Sequence, residues 1–144
     1  MVIQIYTDGS CLKNGYGGSG IAFPNHEYTH QSIEINDKTT NNEAELLAIS
    51  MCLQIVENTD NVVIFTDSKY CINCITKWYK NWIINNTLKY KLNTDLIAKI
   101  FNKIEERSGT TEFKHVKGHS NDKWNDYADK LATDASARVK AKVT

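Results

Sequence analysis

The chain has 144 residues, 41% of them hydrophobic and 24% charged, with 17 basic against 17 acidic side chains and a formal net charge of zero. That length suffices for one compact domain, residues 1–144, that buries about two thirds of the surface its unfolded chain would expose without any covalent or metal staple. No apolar run approaches the ~18 residues of a membrane span, and the first residues lack a basic segment followed by a hydrophobic one. An intracellular, cytoplasmic protein without a signal peptide is the expectation.

In chain order, Val2 to Thr7 alternates as a strand does, and Lys13 to Gly18 reads as a flexible turn. Ile21 to Phe23 and Tyr28 to Ile35 read as two more strands joined across Pro24 to Glu27, and three short consecutive strands favour an antiparallel meander. Thr40-Asn41-Asn42-Glu43 has the spacing of a capping box, and Leu46, Leu47, Ile49, Cys52, Leu53 and Val56 follow at helical intervals. Val62 to Thr66 is an unbroken apolar run, the pattern of a strand buried on both faces. Ser68 to about Trp78 predicts a helix, whereas Trp78 to Lys91 mixes aromatics, Lys and Asn without a clean period and reads as an exposed excursion. Asn93 or Thr94 caps another helix over Leu96 to Ile104, Thr110 to Val116 alternates as a last strand, and a final helix covers Trp124 to Arg138. The tail from about 138 is expected to fray. The order βββ-α-β-α-α-β-α predicts an α/β domain with a five-stranded mixed sheet, three strands antiparallel and two parallel.

Cys11, Cys52, Cys71 and Cys74 are read as reduced thiols: the Cys71-x-x-Cys74 pair falls in a helix and no second close pair follows. The zero net charge is unevenly spread. Between Lys69 and Lys103 the chain carries seven lysines with Asp95 as the only acid, so a basic flank can lie beside an acidic patch.

Two phrases are nearly repeated, Ile5-Tyr6-Thr7-Asp8 and Ile64-Phe65-Thr66-Asp67. Alone, each aspartate has a plain explanation, turn chemistry for Asp8-Gly9 and an N-cap for Asp67-Ser68. Together they differ, because a helical crossover makes the two strands parallel and brings their carboxyl ends together, where open α/β sheets bind ligands. Adjacent carboxylates repel unless a cation or a shared proton intervenes. Glu45, between apolar Ala44 and Leu46, is a further acid without a solvent-facing explanation, and Asp126 and Asp129 share one face of the last helix. Their spacing does not choose between them. Three or four carboxylates without clustered Cys or His form a hard donor set suited to Mg²⁺ or Mn²⁺. Paired ions of this kind serve in-line displacement at phosphodiesters.

At this point the chain resembles the type 1 ribonuclease H family, enzymes that cleave the RNA strand of RNA/DNA hybrids, over about Val2 to Ala137. The matching pieces stand in the family's order: YTDGSC at Tyr6 to Cys11, GGSG at Gly17 to Gly20, TNNEAEL at Thr40 to Leu46, TDSKY at Thr66 to Tyr70, VKGHS at Val116 to Ser120 and NDYADKLA at Asn125 to Ala132. The resemblance implies the ribonuclease H-like fold and a metal-dependent endoribonuclease that leaves 5′-phosphate and 3′-hydroxyl ends. It implies two Mg²⁺ ions, with Mn²⁺ as a substitute. Asp8 would bridge both, Asp129 would help hold the ion that activates water, and Glu45 with Asp67 would hold the other. The family pattern selects Asp129 over Asp126, with Asn125 at its first position.

His119 would assist proton transfer or product departure, while His26, His30 and His115 match no catalytic position. By the same resemblance Cys11, Asn14 and Asn42 would meet the 2′-hydroxyls of the RNA strand, and Thr40 and Asn41 would receive a DNA phosphate at a helix N-terminus. Lys69, where the family often has glutamine, would contact RNA or simply be exposed. Trp78 and Trp82, with Lys80, Lys89 and Lys91, would form a modest version of the basic protrusion that some members use to grip DNA. A monomer acting on RNA/DNA hybrid, with no membrane and no processive hybrid-binding domain, is expected. An integrase-, transposase- or exonuclease-like relative would share the strand-end acids but not the Gly-His-Ser loop together with the Thr-Asn-Asn helix start. A binding module with a decayed site predicts a missing carboxylate, and none is missing.

Overall fold

The computed structural model describes residues 1–118 and 121–143. Five strands, β1 (Val2–Cys11), β2 (Gly17–Ala22), β3 (Gln31–Ile35), β4 (Asn61–Thr66) and β5 (Thr111–His115), form one sheet in the order β3-β2-β1-β4-β5. β1–β2 and β2–β3 are antiparallel, and β1–β4 and β4–β5 parallel. This is the mixed α/β sheet expected.

Helices cover both faces. α1 (Asn41–Ile55) lies on β1 and β2 and packs against α4 (Thr94–Glu106), while α5 (Lys123–Val143) spans β1, β2 and β3 on the opposite face. Alternation along β1 divides the core accordingly. Ile3 and Ile5 join Leu46, Ile49, Leu53, Ile97 and Ile100 in the larger cluster, and Tyr6 joins Ala22 and Ala128 in the smaller one. The three buried cysteines pack in the larger cluster, and all four thiols are free.

α1 starts as its sequence predicts, with Thr40 Oγ1 accepting the Glu43 N–H at 3.1 Å, but the box is only half closed. The Glu43 carboxylate instead accepts the Thr39 hydroxyl at 2.7 Å.

Four expectations change. β1 does not end on Asp8: it pairs with β2 as far as Cys11↔Gly17, which also makes Gly17 and Gly18 strand rather than turn. β3 begins at Gln31, where its ladder with β2 ends at Ile21↔Gln31, and the Tyr28 side chain turns instead to Asp60, donating to its Oδ2 at 2.6 Å. The stretch after Trp78 is helix as far as Ile84. α2 (Lys69–Asn73), a π-helical turn at Cys74–Trp78 and α3 (Tyr79–Ile84) run continuously. In that turn the Tyr79 N–H reaches Cys74 O, five residues back, and Cys71, Cys74, Ile75 and Tyr79 share one buried face while Trp78, Ile83 and Ile84 are exposed. Finally, the tail does not fray at 138. α5 continues to Val143 because Val139 is buried and Glu34 of β3 pairs with both Arg138, at 2.9 Å, and Lys142.

No helix among the described residues is long and apolar enough to cross a membrane.

Candidate active site

The β1–β4 ladder ends at Tyr6↔Phe65, whose rings stack with centroids 4.5 Å apart. Thr7 and Asp8 of one strand and Thr66 and Asp67 of the other follow at the point where the two chains part. The twin phrases therefore arrive side by side. Gly9 admits the third acid: a Cβ there would lie 2.3 Å from Glu45 N, so only glycine lets the first turn of α1 rest on the β1 backbone. The fourth acid comes from the other face in the same way. A Cβ at Gly20 would lie 2.2 Å from Ala128 O, and this close approach of α5 to β2 brings Asp129 to the carboxyl end of β1.

Asp8, Asp67 and Asp129 line one pocket of about 230 Å³ together with Gly9, Asn125 and Asp126. Glu45 lies behind it, buried. Its Oε1 accepts the hydroxyls of Thr7 at 2.8 Å and Thr66 at 2.6 Å, and the Thr66 oxygen in turn accepts Ser68 N–H at 3.1 Å. Glu45 Oε2 and Asn125 Oδ1 are buried without a hydrogen-bond partner among the described residues.

Burial, reinforced by the charges of Glu45 and Asp67, pushes the Asp8 carboxyl up to about 9 despite the Gly9 N–H at 2.9 Å on its Oδ1. Asp129 acts in the same upward direction, more weakly. Burial likewise raises Glu45 to about 7, against the pull of the Thr66 and Thr7 hydroxyls. Among the described residues no three His, Cys, Asp or Glu side chains close up as a ready-made metal cage. The acids stand as an open, mutually repelling cluster. An all-oxygen donor set with an orphaned buried carboxylate oxygen nevertheless fits a hard divalent cation.

The remaining expected residues divide. Asn125 is buried and walls the carboxylate pocket. Thr40, Asn41, Asn42 and Lys69 are exposed at the first turns of α1 and α2. Cys11 Sγ lies 3.2 Å from Thr39 O, beside the start of α1. Asn14, in the left-handed region at φ 76°, lines a different pocket with Tyr16, Lys38 and Val139. Trp78 and Trp82 sit on the helix rather than in a loop, with ring centroids 6.3 Å apart and Lys91 Nζ 5.6 Å over Trp82. His119 lies outside the described residues. Its neighbour Gly118 is at the site, since a Cβ there would be 3.2 Å from Asp67 Oδ2.

Sequence reasoning set aside three residues that belong here. Thr7 and Thr66 were visible as the repeated half of each phrase, and Asp126 as the partner of Asp129 on one helical face.

A carboxylate cluster at the diverging carboxyl ends of β1 and β4, on a 3-2-1-4-5 sheet, defines the ribonuclease H-like class of α/β proteins. The RNase H family description matches residues 1–137. The chain is 38% identical over 135 residues to the protein called ribonuclease H of Rickettsia canadensis (strain McKiel), covering 90% of this chain and 86% of that one. It is 40% identical over 138 residues to ribonuclease H of Orientia tsutsugamushi (strain Boryong), covering 91% and 80%. Among solved structures, LC9-RNase H1, described as a type 1 RNase H with the type 2 active-site motif, superposes with a TM-score of 0.73 at 24% identity, over 94% of this chain and 72% of that one. The chain belongs to the RNase H family.

Proposed function

We propose that the protein is an endoribonuclease that hydrolyses the RNA strand of RNA/DNA hybrids, using divalent cations held by Asp8, Glu45, Asp67 and Asp129. The observation that carries this reading is the meeting of these four carboxylates, from β1, α1, the end of β4 and α5, with one buried Glu45 oxygen left unpartnered among the described residues. Divalent ions at such a site supply an activated water and stabilise the leaving oxygen of an in-line displacement, giving 5′-phosphate and 3′-hydroxyl ends.

The chain's own residues do the rest. Thr7 and Thr66 hold Glu45 Oε1 and so aim Oε2. Burial makes Asp8 a reluctant anion, which favours partnership with a cation over a bare charge. Asn125 supports the pocket wall, and His119, next to Gly118, serves as the proton carrier. Cys11, Asn14 and Asn42 are the candidates for testing 2′-hydroxyls, and Thr40, Asn41, Lys69, Trp78 and Trp82 for holding the backbone, a sequence-independent mode of recognition.

The test is cleavage of end-labelled RNA/DNA hybrid, single-stranded RNA, duplex RNA and duplex DNA, with Mg²⁺ or chelator, by the parent protein and Asp67→Asn. Internal cuts confined to the hybrid's RNA, dependent on metal and reduced at least ~100-fold in the variant, are expected. Hybrid binding without cutting would place the protein among binding modules. Equal cutting of duplex DNA would overturn the substrate.

A further inference from the structure

Beside the start of α5, four rings line a cavity of about 530 Å³ distinct from the carboxylate pocket. His30 is its centre, with ring centroids 5.1 Å from His26, 5.8 Å from Trp124 and 5.1 Å from Tyr127, and Trp124 meets Tyr127 edge-on at 5.7 Å. The Phe23 N–H donates to His30 Nδ1 at 2.9 Å, which fixes that ring, and burial together with His26 keeps it neutral by lowering its pKa. His26 reaches the cluster from a left-handed backbone at φ 59°. Trp124 rests on the Tyr6–Ala22–Ala128 cluster, while Tyr127 is 36% exposed. This is a preformed aromatic wall with an open face.

Two features identify what it faces. Lys123 Nζ stands 5.2 Å over the Trp124 ring, and Lys130, paired with Asp134 at 2.8 Å, is on the rim. Asp126 lines both this cavity and the carboxylate pocket, so the two are neighbours. Aromatic faces combined with lysines are the means by which proteins hold single-stranded nucleic acid without reading its sequence.

We propose that this cavity stacks an unpaired nucleobase of a strand continuing beyond the hybrid at the carboxylate pocket. The proposal rests on the hybrid reading above. A protein ligand is the competing occupant, and the experiment separates them.

Binding is measured in chelator, so that nothing is cut, by fluorescence anisotropy. The probes are a blunt hybrid and the same hybrid extended by about four unpaired nucleotides. RNA and DNA overhangs are placed in turn at each end, and an abasic overhang serves as control. The parent protein should bind at least one base-bearing overhang about 5-fold or more tighter than the blunt hybrid. That gain should vanish in Tyr127→Ala and Trp124→Ala and survive in Trp124→Phe, which keeps a ring on the core beneath. No gain from any overhang, an equal gain from the abasic one, or a gain that persists in Tyr127→Ala would overturn the proposal. Cleavage of the blunt hybrid in Mg²⁺ reports on the catalytic reading separately: its absence would sink that reading, whatever the overhangs do.

Discussion

The two hydroxyls on Glu45 decide which of its oxygens is available. Thr66→Val removes one donor from a buried carboxylate and the acceptor for Ser68 N–H. Hydrogen bonds to charged groups contribute about 1.5–3 kcal/mol, so chemical denaturation should show a loss of that order. Cleavage should fall about tenfold as Glu45 Oε2 loses its aim, and Thr66→Ser should restore both. At Asp8 the consequence is pH dependence. Its proton is bound far more tightly folded, at about 9, than at the ordinary 3.8, so the stability tied to it is whole below pH 4 and is lost as pH rises through 9. Glu45 acts in the same sense between 4.5 and about 7. In chelator the melting temperature should therefore decline from pH 5 to 9 more steeply in the parent than in Asp8→Asn. Equal slopes would mean that the folded protein does not hold that proton.

At the scale of elements, the site depends on two close approaches of helix to strand. Gly9→Ala places a methyl 2.3 Å from Glu45 N, where only a shift of α1 can relieve it. Overpacking of this kind costs about 1–3 kcal/mol, and a displaced Glu45 should cost activity beyond the loss of stability, as thermal denaturation and cleavage measured together will show. α5 offers a contrasting case. Its last turns are tied to β3 by Glu34 with Arg138 and Lys142, all at the surface. Glu34→Ala should leave the melting temperature nearly unchanged while amide exchange speeds up in the final turn of α5, a local opening rather than a global one. Unaltered exchange there would assign the helix end to Val139 alone.

For the whole molecule, a net charge of zero conceals a division of labour. Asp8, Glu45, Asp67, Asp126 and Asp129 gather near the carboxyl ends of β1 and β4, whereas α2, α3 and α4 carry lysines from Lys69 to Lys103. If a polyanion lies across that flank, hybrid affinity in chelator should fall linearly with the logarithm of salt concentration. Replacing Lys80 and Lys91 by Gln should reduce the slope by about two and weaken all hybrid sequences alike. A slope unchanged by the double substitution would move the backbone contacts elsewhere.

Local physics was enough to read much of this from the chain. The capping start at Thr40, the doubly buried run at Val62, and the paired Thr-Asp phrases report short-range preferences that survive into the fold, so the mixed sheet and the approach of Asp8 to Asp67 were legible, whereas the choice of Asp129 over Asp126 came from the family resemblance. Where a residue's partner is distant in sequence, the tertiary structure alone decided. Asp126 and Asp129 share a helical face, but only the laying of α5 on β2 brings both to the carboxylate pocket, and the end of α5 looks frayed until Glu34 arrives from β3. The helix after Trp78 was concealed because its exposed face carries Trp78, Ile83 and Ile84 among Lys and Asn, which blurs the apolar stripe. The aromatic cavity joins His26 and His30 to Trp124 and Tyr127 across most of the chain. Periodicity carries no information about such contacts; only the packing of α5 against the sheet creates them.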